Sequence, residues 1–215
     1  MVIPDITLEM SLWEDGFANV AGVDEAGKGP WAGPVTAGAV VIHSLSQVVS
    51  LVRDSKLMSF SQREKAYEEI VTKSSATGIG IVSAEEIDTI GIDMAVKKAM
   101  LLALSEIEKK GFPLSFVIVD GSKTKPLEIY QTKRILKGGL YHYSISAGSI
   151  LAKVTRDRLM LSYSKEFPEY GFEKHVGYGT ALHQKTLKEF GPCPLHRKSF
   201  APVREALKHS AIIQL

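Results

Sequence analysis

Apolar positions recur along the chain with two different periods. Residues 20–24 and 35–42 are short runs of small and β-branched residues, each about the length of a strand. Gly27, Lys28, Gly29, Pro30, Trp31, Ala32 and Gly33 lie between them, and this short turn-forming stretch predicts an antiparallel hairpin. Residues 78–82 predict a third strand. Residues 116–119, Phe-Val-Ile-Val, are apolar without alternation, as expected of a strand covered on both faces, and they end abruptly at Asp120-Gly121. Residues 140–145 are expected to form a fifth strand.

Helical spacing fills the intervals. Ser61 with Glu64 predicts a capping box, opening a helix with Ala66, Tyr67, Ile70 and Val71 on one face. Ser83 with Glu86 predicts a second box and a short helix ending near Gly91. A longer pattern starts at Asp93, runs through Met94, Ala99, Met100, Leu104 and Ile107, and stops at Gly111 and Pro113. Residues 149–165, 180–190 and 203–208 complete the expected helices. A hairpin followed by alternating helices and strands defines an α/β layer fold, helices packed on a central sheet. We divide the chain into an N-terminal segment 1–19, an α/β domain 20–165, and a helical C-terminal subdomain and tail 166–215.

Composition narrows the class. The 215 residues are 45% hydrophobic and 23% charged, with a formal net charge of +2. That balance supports a buried core and excludes general disorder. No apolar run approaches the roughly 18 residues of a membrane span, so no membrane contact is expected. The first 19 residues carry Asp5, Glu9, Glu14 and Asp15 and lack the basic start and apolar centre of a signal peptide. Cys193 is the single cysteine and cannot form an internal disulfide, which fits a reducing, cytoplasmic setting. The charge is uneven: residues 1–120 sum to −7 and residues 121–215 to +9. A polyanionic partner for the basic half and an unevenly charged solvated surface both fit that split.

Two strand ends carry the chemistry. One closes on Asp24-Glu25, the other on Asp120. A lone strand-end Asp beside glycine most often caps a turn. Two such ends, one with paired carboxylates, favour a cation site where strands of an α/β sheet terminate. Oxygen ligands suit Mg²⁺ or Mn²⁺ rather than zinc. Residues 22–28 match the first seven positions of the phosphate-binding G-x-x-x-x-G-K-[ST] pattern, but Gly29 replaces the hydroxyl residue and two carboxylates would lie in the cradle, so nucleoside triphosphate hydrolysis is rejected. His175, His183, Cys193 and His196 lack the paired spacing of a zinc site.

Residues 20–35, Val-Ala-Gly-Val-Asp-Glu-Ala-Gly-Lys-Gly-Pro-Trp-Ala-Gly-Pro-Val, resemble the opening motif of the bacterial ribonuclease HII family, a branch of the type 2 ribonucleases H. Asp54-Ser55-Lys56, Glu86-Ile-Asp88, Val119-Asp120-Gly121, residues 149–157, Gly177-Tyr178-Gly179-Thr180 and residues 196–202 resemble its later motifs in the expected order. The resemblance implies a ribonuclease H-like mixed central sheet flanked by helices, with a helical C-terminal extension. It implies an Mn²⁺- or Mg²⁺-dependent endoribonuclease, and a monomer is expected. Such an enzyme cuts the RNA strand of RNA–DNA hybrids and, in duplex DNA, cuts 5′ to a single embedded ribonucleotide, leaving a 3′-hydroxyl and a 5′-phosphate.

By the same resemblance Asp24, Glu25 and Asp120 are the catalytic metal ligands. Gly27, Lys28 and Gly29 fall on a loop that reads the 2′-hydroxyl, where Lys28 replaces the usual Arg. Tyr178 falls on a tyrosine that stacks on the next deoxyribose. Lys153, Arg156, Arg197 and Lys198 are expected phosphate contacts, ordinary surface charge being the plainer reading of all four. Gly139 stands where the family carries a fourth acidic residue, which implies reduced activity or a shift toward Mn²⁺; Asp157 falls on the family's own Asp. A catalytically weakened hybrid-binding module is the alternative, and a metal-dependent phosphotransferase using the glycine loop a third reading.

Overall fold

The computed structural model describes residues 2–121 and 126–213, the last five of these (209–213) as backbone only. The short apolar runs form strands and the 3.6-residue patterns form the helices over them. β1 (Val20–Ala26) and β2 (Val35–Val41) make the expected antiparallel hairpin, and β3 (Ala76–Val82) continues it antiparallel. β4 (Phe116–Asp120) lies parallel to β1, and β5 (Thr132–Ile135) parallel to β4. The order β3-β2-β1-β4-β5 makes a mixed sheet.

Helices cover both faces. On one, α4 (Ile92–Lys109) packs Ala99, Met100, Ala103, Leu104 and Ile107 against Val23, Ala37, Ala39, Val41 and Val119. On the other, α6 (Tyr143–Glu166) packs Ala147, Ile150, Leu151 and Val154 with Val40 and Ile42. α2 (Phe60–Lys73) adds Ala66 and Ile70 to that cluster, while α1 (Thr7–Glu14) adds Leu12 to a neighbouring one around Ile118 and Ile145. α3 (Ala84–Ile90) and α5 (Gly138–Tyr141) are short. α7 (Phe172–His175), α8 (Ala181–Phe190) and α9 (Ala201–Ile213) form the C-terminal layer.

Four local expectations are corrected. Residues 140–145 are not a strand: they belong to α5 and the start of α6, and the fifth strand is Thr132–Ile135. α6 starts at Tyr143 rather than at residue 149. The first capping box uses Ser59 and Gln62, because Ser61 already lies inside the first turn; Ser59 Oγ accepts from Gln62 N and the Gln62 side chain accepts from Ser59 N at 2.8 Å. Ser83 caps α3 as expected, but the Glu86 side chain pairs with Lys98 instead of closing the box.

α6 approaches the sheet at backbone distance. A Cβ on Gly38 would collide with the Gly148 carbonyl, and one on Gly22 with Ser144. These glycines bring the start of α6, including Ser149, over the strand ends that carry the carboxylates.

Candidate active site

β1 and β4 are parallel neighbours, with Val23 level with Val119, so Asp24 and Asp120 leave the sheet at the same end. They open into one cleft of about 460 Å³ lined by Asp24, Glu25, Gly27, Lys28, Gly29, Ser55, Lys56, Asp120, Ser149, Lys153 and Tyr178. A second lobe of about 530 Å³ shares Asp24, Asp120 and Ser149 and adds Asp54, Lys137 and Gly139.

The carboxylates are crowded. Asp24 is only 8% exposed. Burial first, then the charges of Glu25 and Asp120, hold its pKa well above the ordinary value, against a lowering bond from Ser149. Burial also raises Glu25, with Asp24 and Lys28 acting the other way. Asp24 Oδ1 accepts from Glu25 N at 2.8 Å, and Asp120 Oδ1 accepts from Gly138 N at 2.6 Å. Among the described residues, no group of three or more His, Cys, Asp or Glu forms a closed metal cage. The donor chemistry nevertheless fits a hard divalent cation: clustered oxygen donors under mutual repulsion are relieved by positive charge between them.

Two nearby lysines have carboxylate partners outside the triad. Lys28 Nζ pairs with Asp93 at 2.7 Å, away from the carboxylates, and Lys153 Nζ pairs with Asp157 at 2.8 Å. The Lys28 side chain is thus engaged with Asp93 while its charge still lowers the Glu25 pKa. Lys153 and Arg156 both lie 5.9 Å from the centre of the Tyr178 ring, which is 44% exposed. Lys198 stands apart on the surface, its backbone N–H donating to Asp88 at 2.8 Å.

Arg156 and Arg197 do not sit where phosphate contacts would be. Both are fully buried, and their guanidinium groups donate to backbone carbonyls of the glycine loop and its neighbours, so neither is free to reach a ligand. The motif that carries them signalled importance but not direction: a buried and an exposed arginine look alike in sequence. Lys56, Arg63 and Ser149 line the cleft without having been singled out; Lys56 and Ser149 stood within quoted motifs, whereas Arg63 carried no signal.

The four zinc-type residues do meet, behind Tyr178, but as a hydrogen-bonded stack. His183 Nδ1 faces the Tyr178 carbonyl at 3.0 Å and His183 Nε2 faces His196 Nε2 at 3.0 Å. His196 Nδ1 accepts from Cys193 N at 3.0 Å. His175 Nε2 donates to the Tyr170 carbonyl at 2.9 Å, and Nδ1 accepts from Gly177 N at 3.2 Å. These partners fix each neutral tautomer and occupy the ring nitrogens, so no lone pair remains for a metal.

A mixed sheet with carboxylates at the ends of its central parallel pair, covered by helices on both faces, is the architecture of the ribonuclease H-like nucleases. The profile of one family, Ribonuclease HII, matches residues 21–203. The ribonuclease HII of Chloroflexus aurantiacus is 43% identical over 210 residues, 96% of this chain and 97% of that protein. That of Chlamydia muridarum is 45% identical over 206 residues, 93% and 92% of the two chains. The crystal structure of ribonuclease H2 from Pyrococcus horikoshii superimposes with a TM-score of 0.75 at 25% identity, covering 89% of this chain and 98% of that one. The chain belongs to the ribonuclease HII family and is thereby a ribonuclease H hydrolase, an endoribonuclease of RNA–DNA hybrids. No helix among the described residues is long and apolar enough to cross a membrane.

Proposed function

We propose that this chain hydrolyses the RNA strand of RNA–DNA hybrids and also cuts 5′ to a single ribonucleotide embedded in duplex DNA, leaving a 3′-hydroxyl and a 5′-phosphate. The observation that carries the reading is the meeting of Asp24, Glu25 and Asp120 with the Gly27–Gly29 backbone and Tyr178 in one cleft. Asp24, Glu25 and Asp120 would hold Mn²⁺ or Mg²⁺. When bound, such ions activate water and stabilise developing charge on the phosphate and the leaving oxygen.

The protein's own contribution is positioning. Gly27 and Gly29 carry no side chain that would hold the loop backbone away from a ribose, and the 2′-hydroxyl is the group that separates RNA from DNA. The Tyr178 ring offers a flat apolar face for the following sugar. Lys56 and Lys153, both in the cleft, supply positive charge for the backbone phosphates. These placements hold the scissile phosphate beside the carboxylates, where orientation lowers the barrier to in-line attack.

The test is an end-labelled DNA duplex with one ribonucleotide, incubated with the protein and Mn²⁺. A single cut on the 5′ side of the ribonucleotide is expected. An intact duplex, from protein shown to bind it, would replace this reading with that of a hybrid-binding module.

A further inference from the structure

Arg156 and Arg197 are the two largest fully buried side chains of the described structure, and both bond to carbonyl oxygens. Arg156 donates from Nε to the Pro34 carbonyl at 2.9 Å, from Nη1 to Val176 at 2.9 Å and from Nη2 to Ala32 at 3.0 Å. Arg197 donates from Nε to Gly33 at 3.0 Å, from Nη1 to Lys28 at 3.1 Å, and from Nη2 to Gly27 at 2.6 Å and Pro34 at 3.1 Å. Six carbonyls from two separate loops thus point at one pair of guanidinium groups.

That arrangement has a stereochemical consequence. In a trans peptide, C=O and the next N–H point in opposite directions. With the Gly27 and Lys28 carbonyls turned inward to Arg197, the N–H groups of Lys28 and Gly29 turn outward, toward the cleft. The second loop is tied at Val176, a β-branched residue at φ 42°, a conformation that persists only where the surroundings enforce it. Arg156 Nη1 on its carbonyl is such an enforcement, two residues before Tyr178. Both loops are built around the pair: Gly27 has φ 96° and a Cβ there would strike Arg156, while a Cβ on Gly177 would reach within 3.4 Å of Arg156 Nη2. Asp88 in α3 anchors the segment carrying Arg197, accepting from Lys198 N and Ser199 N, each at 2.8 Å.

We propose that Arg156 and Arg197 are positioning residues that lock the Gly27–Gly29 backbone and the Tyr178 loop into one rigid unit, and so set discrimination between ribonucleotide and deoxyribonucleotide. The proposal rests on the function proposed above. Arg197→Lys and Arg156→Lys keep the cation and lose the multi-donor fork. Binding is measured without divalent metal on two duplexes of one sequence, one with a single ribonucleotide and one all-DNA, and cleavage of the first is followed in Mn²⁺.

Wild type that cleaves the first duplex upholds the functional reading; wild type that does not cleave it overturns that reading independently of the clamp. Each folded variant is expected to lose about tenfold in preference for the ribonucleotide duplex, chiefly through KM, with all-DNA affinity within about twofold. A merely structural role would lower both affinities together. Folded variants with the wild-type preference overturn the proposal. Should both Arg variants fail to fold, Asp88→Ala decides: reduced preference supports the clamp, and unchanged preference overturns it.

Discussion

Asp24 bears the largest electrostatic burden of any side chain in the cleft. Burial first, and then the neighbouring charges of Glu25 and Asp120, hold its pKa well above that of a free carboxylate. Replacing it with Asn keeps the shape and an acceptor for Glu25 N while removing that charge. Asp24→Asn is therefore expected to raise Tm by about 2–4 °C at pH 7.5 without divalent metal, and to abolish cleavage. Calorimetry beside the end-labelled duplex assay checks both halves. Mg²⁺ should raise Tm of the wild type and leave that of the variant nearly unchanged. Gly139 is the complementary case. A Cβ there would stand 3.8 Å from Asp24 Oδ2, at ordinary contact distance, so a side chain can start from this position without displacing backbone. In a metal titration of the cleavage rate, Gly139→Asp is expected to lower the Mg²⁺ concentration for half-maximal rate by about tenfold. Coincident titrations would show that the missing carboxylate carries no metal affinity in this chain.

The elements differ in how openly the sequence displays them. β1 and β4 were legible with their carboxylates because a strand buried on both faces shows an unbroken apolar run, and the first polar residue marks its end. α6 was legible only from residue 149 onward. Its first turn, Tyr143 to Ser146, is buried on every side between the sheet, α1 and α5, so no polar face reveals the helical period. Its start also lacks a local cap: His142 makes no side-chain capping bond. The cap comes from 135 residues away, where the buried Glu9 of α1 accepts from Ser144 N at 3.0 Å and Ser144 Oγ at 2.5 Å. A capping contact of that sequence separation leaves no local motif. It places a carboxyl acceptor on the amino end of the helix that carries Ser149. Glu9→Gln is expected to cost about 1–2 kcal/mol, read as a lower denaturant midpoint with unchanged slope. An unchanged midpoint would assign the holding of α6 to its apolar contacts alone.

Across the whole molecule, two buried ionisable clusters oppose each other in their dependence on pH. Behind Tyr178, burial lowers His183 to about 4 and His196 to about 3, so both are neutral in the folded chain. Unfolded histidines take up protons below about 6.5. Between pH 6.5 and 4 the unfolded state therefore binds more protons, and the contribution of this cluster falls as pH falls, by up to about 1.4 kcal/mol per pH unit for each histidine. Asp24 and Glu25 act with the opposite sign. Their raised values mean that the folded state binds the extra protons, so acidification through their raised values relieves repulsion and strengthens the fold. In wild type the two trends have opposite signs. In Asp24→Asn the main carboxylate contribution is gone and that of the histidines stands exposed. The variant's Tm is expected to fall by roughly 3–5 °C between pH 6.5 and 5.5, more steeply than wild type, so that its stability advantage at pH 7.5 shrinks on acidification. Parallel Tm-against-pH curves for the two proteins would mean that the carboxylates make no opposing contribution. A flat curve in the variant would mean that the histidine stack accepts a proton without losing its hydrogen bonds. The same stack holds the Tyr178 carbonyl through His183 Nδ1, so in the variant the loop bearing Tyr178 is expected to loosen at the pH where stability falls, visible as earlier proteolytic cleavage near Gly177 and Gly179.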